Sequence, residues 1–177
     1  FYRGYQSSEG VFLSMSLNQL NQLYRQVILD HGQHPRHFGK LDHASQEVEL
    51  FNPTCGDAIV LSLKIEDDYI VDLAFSGQGC TISMASASMM CEALLGKPKD
   101  QALAMIATFQ ALVGGPGQVD DRWEQALGDA ALLEGVKAFP ARYKCAILAW
   151  KALGLGLDQD TSLDEGLSRH NQAQESE

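Results

Sequence analysis

The sequence predicts an α+β fold, with a small antiparallel three-stranded sheet packed against several helices. Three observations lead there. Behind one N-terminal helix, apolar residues alternate in steps of two. After Gly77-Gln78-Gly79 the spacing turns helical and stays so. Strands followed by helices mark an α+β chain, not a wound parallel sheet. The length of 177 residues and the 45% apolar content suit one domain with a real core.

The elements follow in order. Residues 1–14 mix aromatics, Gly and Ser without a period, and they lack the basic and apolar regions of a signal peptide. Residues 1–15 are therefore expected to be a vector-derived or disordered lead, with the natural start at Met15, and the domain is expected over residues 16–157. Ser16 suits a helix N-cap, with Gln19 as its capping-box partner. Leu17, Leu20, Leu23, Tyr24, Val27 and Ile28 recur at helical spacing, and Gly32 supplies a stop. Residues 31–43 read as a loop rich in Pro, Gly and His.

A short strand is expected at 48–51. Ile59, Leu61, Leu63 and Ile65 alternate with Val60, Ser62, Lys64 and Glu66, the mark of a sheet with one buried face. Asp67-Asp68 makes a tight turn, and Val71, Leu73 and Phe75 alternate again. Residues 83–95 are rich in Ala, Ser and Met and predict a closely packed helix ending at Gly96. Pro98 suits the first turn of another helix, carrying Leu103, Ile106 and Val113. Gly114-Gly115-Pro116-Gly117 breaks the chain, and residues 123–136 predict one or two short helices. Pro140 opens the last strong helix, with Cys145, Leu148, Ala149, Ala152 and Leu153. Residues 158–177 hold six acidic residues against the single Arg169 and are expected to be an acidic flexible tail.

The net charge of −10 repels phosphate backbones and argues against nucleic-acid partners. No apolar run reaches the roughly 18 residues that span a bilayer, so no membrane role is expected. Without a targeting signal the expected location is cytoplasmic, where four cysteines stay reduced and free for metal or catalysis.

Three of those cysteines lie at or near element junctions. Cys55 and Asp57 flank Gly56; in an extended chain, residues two apart point the same way and share one target. Cys80 directly precedes a helix, whose dipole favours thiolate. Cys145 lies early in the last helix, where unpaired N–H groups are expected to favour negative charge. Three thiolates and a carboxylate make a tetrahedral set acceptable to zinc, and the thiolates alone can hold an iron–sulfur cluster. Cys91, inside Met89-Met90-Cys91, is assigned to the core, as is the group of Met84, Met89 and Met90. His31, His34, His37 and His43 are read as solvated loop residues, since they lack a fixed geometry.

Cys55-Gly56-Asp57, the run from Ser76 through Cys80 to Ser83 with Ala85-Ser86 behind it, and Arg142-Tyr143-Lys144-Cys145-Ala146 together resemble the U-type proteins of iron–sulfur cluster assembly. Leu23-Tyr24 and Asp30-His31 in the first helix resemble them too, so the likeness runs over residues 17–155. It implies a SufE/NifU-N-like fold. The IscU scaffold branch has a His before its third cysteine and a Leu-Pro-Pro-Val-Lys motif upstream. This chain has Lys144 and Phe139-Pro140-Ala141-Arg142 instead, which resembles the SufU branch. That branch implies zinc on Cys55, Asp57, Cys80 and Cys145 and sulfur taken from a SufS-type cysteine desulfurase. On this reading Cys55 is the sulfur acceptor, Arg142 is auxiliary, and the sulfur passes to downstream iron–sulfur assembly proteins. Two alternatives stand: an IscU-type scaffold with Cys55, Cys80 and Cys145 as cluster ligands, and a structural zinc-binding module regulating the desulfurase.

Overall fold

The computed structural model describes residues 17–161. The order is α1 (Leu17–Gln33), β1 (Gln46–Asn52), β2 (Asp57–Glu66), β3 (Tyr69–Gln78), α2 (Thr81–Leu94), α3 (Lys99–Leu112), α4 (Asp121–Ala126), a 3-10 segment (Gly128–Ala138) and α5 (Pro140–Thr161). The strands form one antiparallel sheet, β1-β2-β3, so the α+β architecture holds. The lead at 1–15, the cap Ser16 and residues 162–177 lie outside the described residues. Helix α5 runs through Thr161, so residues 158–161 are helical where the flexible tail was expected to begin.

One face of the sheet is buried, and period-two alternation decides which side chains line it. Val48 and Leu50 of β1, Ile59, Leu61 and Leu63 of β2, and Leu73 and Phe75 of β3 are buried. Helix α5 lies close to this sheet: a Cβ on Gly156 would come within 2.9 Å of Leu63 Cδ2. The strands extend further than their apolar residues suggest, because ladder hydrogen bonds continue through polar positions. Strand β3 runs on through Gly77, which has φ +128° and pairs with Ile59. A Cβ there would collide with the Ala58 carbonyl, so only glycine fits.

Helix α2 is the hub. Its Ala, Ser and Met residues are buried on most sides, from Ser83 to Leu94. Small side chains permit this close approach. Ser86 Oγ donates to the Ala146 carbonyl at 2.5 Å and accepts from Trp150 Nε1 at 2.9 Å, which ties α2 to α5. Trp150 stacks on Phe109 of α3 with centroids 3.9 Å apart. Pro98 precedes the first turn of α3 as its N-cap, and Asp120 caps α4 by accepting from the Arg122 amide.

The first helix departs from expectation at Leu23 and Tyr24 and at its C-terminal stop. Val27 and Ile28 pack on the core, but Leu23 and Tyr24 are 44% and 39% exposed. Gly32 does not stop the helix, which ends at Gln33. Gly32 instead lets α1 approach α2, since a Cβ there would lie 2.8 Å from Thr81 Cγ2. Among the described residues, no helix is long and apolar enough to cross a membrane.

Asp67 and Asp68 form the β2–β3 turn with φ of +52° and +65°, a left-handed pair that costs non-glycine residues energy. Asp68→Gly removes that strain at one position. We expect stabilisation of about 1 kcal/mol and a rise in melting temperature of about 2–4 °C, read by thermal denaturation.

Candidate metal centre

The centre is built where the buried face of the sheet turns polar. The alternation that buries Val48 and Leu50 delivers Asn52 to the same face, and Asp57 stands on it ahead of Ile59. Asn52 and Asp57 are partners in the ladder, and the four residues between them close the hairpin. The Cys55 amide donates to the Asn52 carbonyl at 3.2 Å, a turn with Pro53 at its second position. Gly56 follows with φ +72°. Cys55 and Asp57 thus converge through a turn, not through the extended chain that the spacing suggests.

Cys80 is the N-cap residue of α2, so its thiol stands at the positive end of that helix. Its amide donates to Asp57 Oδ1 at 3.0 Å. Asn52 Nδ2 donates to Asp57 Oδ2 at 3.1 Å, so each carboxylate oxygen is already held by one donor. Gly79 is needed beside them, because a Cβ there would lie 2.6 Å from Asp57 Oδ1.

Cys145 comes from α5 and is fully buried. Its thiol is pushed well above the ordinary range, by burial first and then by hydrogen bonding to Cys55, Asp57 and Cys80. This corrects the expectation of a favoured negative charge. Position 145 lies past the first turn of α5, beyond the unpaired N–H groups, and desolvation dominates.

Ligand atoms of Cys55, Asp57 and Cys145 lie within 4.8 Å of one another. Cys80 neighbours Cys145 but stands outside that close trio. In a tetrahedral zinc–thiolate site the sulfur–sulfur edge is about 3.8 Å, so small side-chain movements bring the trio of Cys55, Asp57 and Cys145 to that spacing. Three sulfurs and one hard oxygen are a donor set that zinc accepts. Arg142 lies over the mouth, exposed, with Nη1 3.9 Å from Cys55 Sγ. Its guanidinium is held further above its usual range by a hydrogen bond with Cys145 and by the charges of Cys80, Cys145 and Cys55. A cleft of about 610 Å³ runs from Arg142 along α1, lined by Tyr24, Ile28, Ile82, Leu133 and the 65%-exposed Phe139.

A family model described as the NifU-like N-terminal domain matches residues 23–146. The chain belongs to that family. A zinc-dependent sulfurtransferase, SufU, of Bacillus subtilis is 48% identical to this NifU-like chain over 147 residues, covering 82% of it and 97% of the relative. An iron–sulfur cluster assembly scaffold protein, IscU, of Streptococcus pyogenes is 49% identical over 139 residues, covering 78% and 85%. The NifU-like chain also superposes on a crystal structure from Fervidobacterium islandicum assigned as a SUF-system scaffold. The TM-score is 0.68 at 36% identity, over 74% of this chain and 93% of that one.

Three placements were not foreseen in the sequence of this NifU-like chain. Asn52 was missed, although its alternation with Val48 and Leu50 marks it as buried and polar. Ser83 was seen only as a helix residue, yet its hydroxyl is buried near Asp57 and unpartnered among the described residues. His31 is the third. It is 1% exposed in the last turn of α1, not a solvated loop residue. Its Nδ1 bonds Ser88 Oγ at 2.8 Å and its Nε2 bonds Asp129 at 3.0 Å, clasping α1 to α2 and the 3-10 segment. Burial needs both ring nitrogens satisfied, and tertiary packing supplies the partners. His34, His37 and His43 are exposed, as expected.

Cys91 lies in the core, where burial, with Glu92 adding, pushes its thiol up to about 12. The folded state keeps this group neutral, so its contribution to stability is whole below pH 9.0, the ordinary thiol value, and is lost as pH rises towards about 12. Cys91→Ala should flatten the fall in unfolding free energy across that window, measured by denaturant titration at successive pH values. Iodoacetamide at pH 8 should label Cys55 and spare Cys91 in the folded chain.

Proposed function

We propose that this chain is an iron–sulfur cluster assembly protein that holds zinc on Cys55, Asp57, Cys80 and Cys145. On this reading it accepts persulfide sulfur on Cys55 from a SufS-type cysteine desulfurase. The observation that carries the reading is the unequal seating of the ligands. Asp57 and Cys145 are buried and hydrogen-bonded, whereas Cys55 sits half-buried at the tip of a glycine-bearing turn. The likeness to the Bacillus sulfurtransferase over nearly its whole length supports it. Lys144 before Cys145, where scaffolds of the IscU branch carry His, supports it as well. Four free thiols also suit a reducing cytoplasm.

Zinc bound here supplies a Lewis acid that keeps its thiol ligands deprotonated near neutral pH. The rest falls to the chain's own groups. The Cys55 thiolate attacks the outer sulfur of the donor persulfide. A new S–S bond forms on Cys55, the donor's S–S bond breaks, and the donor cysteine leaves as thiolate. Gly56 lets the Cys55 arm swing, and Arg142 offsets negative charge at the mouth. The cleft beside Arg142, with exposed Phe139, offers the desulfurase an apolar foothold next to Cys55.

A second reading, a scaffold holding a cluster on Cys55, Cys80 and Cys145, is favoured by the name of the Streptococcus relative. One assay separates them. Zinc-loaded protein should raise desulfurase turnover, on the order of tenfold, and Cys55→Ala should return it to the unstimulated rate. Mass spectrometry should find an adduct of about 32 Da on Cys55 after turnover. No stimulation, with a stable brown cluster on iron-loaded protein, would make the chain a scaffold. Zinc loss that unfolds a protein without sulfur chemistry would make it a structural module. Phe139→Asp should raise the amount of chain needed for half-maximal stimulation several-fold and leave zinc content unchanged.

A further inference from the structure

We propose that Asn52 is a positioning residue that fixes Asp57 and Cys145 in the metal site and so leaves Cys55 as the arm that exchanges. This rests on the zinc site proposed above. Asn52 is 1% exposed and sits on the buried face, in line with Val48 and Leu50. Packing alone would favour an apolar residue there. Asn52 is also badly served as a buried amide, because its Oδ1 has no partner among the described residues. An orphaned buried acceptor is a net loss. The compensating gain lies with the other end of the amide.

Asn52 Nδ2 carries two hydrogens and has two acceptors before it. Asp57 Oδ2 lies at 3.1 Å and Cys145 Sγ at 3.7 Å. A flipped amide would set its oxygen against a carboxylate oxygen and a sulfur, so the placement of the NH₂ group follows from chemistry. Once the ligands are ionised, both contacts become charge-assisted and strengthen. Asn52 therefore braces one ligand from β2 and one from α5. Asp57 has a second brace in the Cys80 amide. Neither the Cys55 nor the Cys80 thiol accepts from Asn52; Cys80 is seated as the N-cap of α2, whereas Cys55 rides the glycine-bearing turn, with the exposed Arg142 3.9 Å away. Groups that hold ligands in this way commonly change metal affinity by roughly 10–100-fold when removed.

The test uses the full zinc-loaded chain, Asn52→Ala, and Asn52→Asp, which keeps the shape but replaces the donor with an acceptor. Zinc affinity is read by competition with a chromogenic chelator, and the order of thiol alkylation by mass mapping with iodoacetamide. Metal-free thermal melts show whether each variant folds. The expected result is a zinc affinity lower by roughly 10–100-fold in each folded variant. Cys55 should be labelled first in the parent chain, and Cys145 at a comparable rate in the variants. Affinity within about twofold of the parent in a folded variant would overturn the inference, on the scale of known bracing effects. So would an unchanged labelling order. If neither variant folds, the parent chain still decides, since prior labelling of Cys145 or Cys80 would overturn it. Sulfur acceptance is judged separately. A chain with these affinities and this order that never gains a persulfide would keep the role of Asn52 and sink the sulfur-acceptor reading.

Discussion

The pairing of Asn52 with Asp57 at the closed end of the β1–β2 hairpin is the constraint on which the site depends. Ladder register sets these two residues opposite each other, and the same register buries Leu50 against Ile59 two pairs further in. A slip of one residue would turn the whole apolar face outward. The hydrophobic effect that holds the sheet on its helices thus also holds a carboxylate and an amide at the edge of the core. With Asn52 and Asp57 fixed, the four-residue turn between them has little choice about where it carries Cys55.

The remaining half of the centre is aligned by helix packing. Ser86 of α2 bonds the carbonyl of Ala146, the residue that follows Cys145. The helix whose N-cap is Cys80 is therefore pinned to α5 beside Cys145. Stacking of Phe109 on Trp150, whose indole N–H also bonds Ser86, ties α5 to α3 as well. The groups proposed as ligands come from a turn, a strand and two helices, so the site is a property of the assembled domain. A metal bound to it would stabilise the folded state over the unfolded one.

Burial sorts chemically identical residues into different roles. Cys91 and Cys145 both lie in helices and both are fully buried. Cys91 faces only the core, and its proton is locked in place. Cys145 faces Cys55, Asp57 and Cys80, and its hydrogen bonds point into the centre. The histidines divide likewise. His31 is a buried clasp between three elements, while His34, His37 and His43 face solvent.

Much of the fold was legible in the chain, because periodicity is a local property. Alternation around Ile59, Leu61 and Leu63 announced the sheet, and Pro140 announced α5. The Asp67-Asp68 turn and the core place of Cys91 were also readable. Ser83 and His31 were not, since their surroundings are made by residues far away in sequence, and Asn52 was readable as buried but not as a bridge. His31 meets Asp129, and Asn52 meets Cys145. A sequence states which groups exist and which face of an element they share. The distance between groups on different elements arises only when hydrophobic packing brings those elements together, and that distance decided the surroundings of Cys145 and the role open to Asn52.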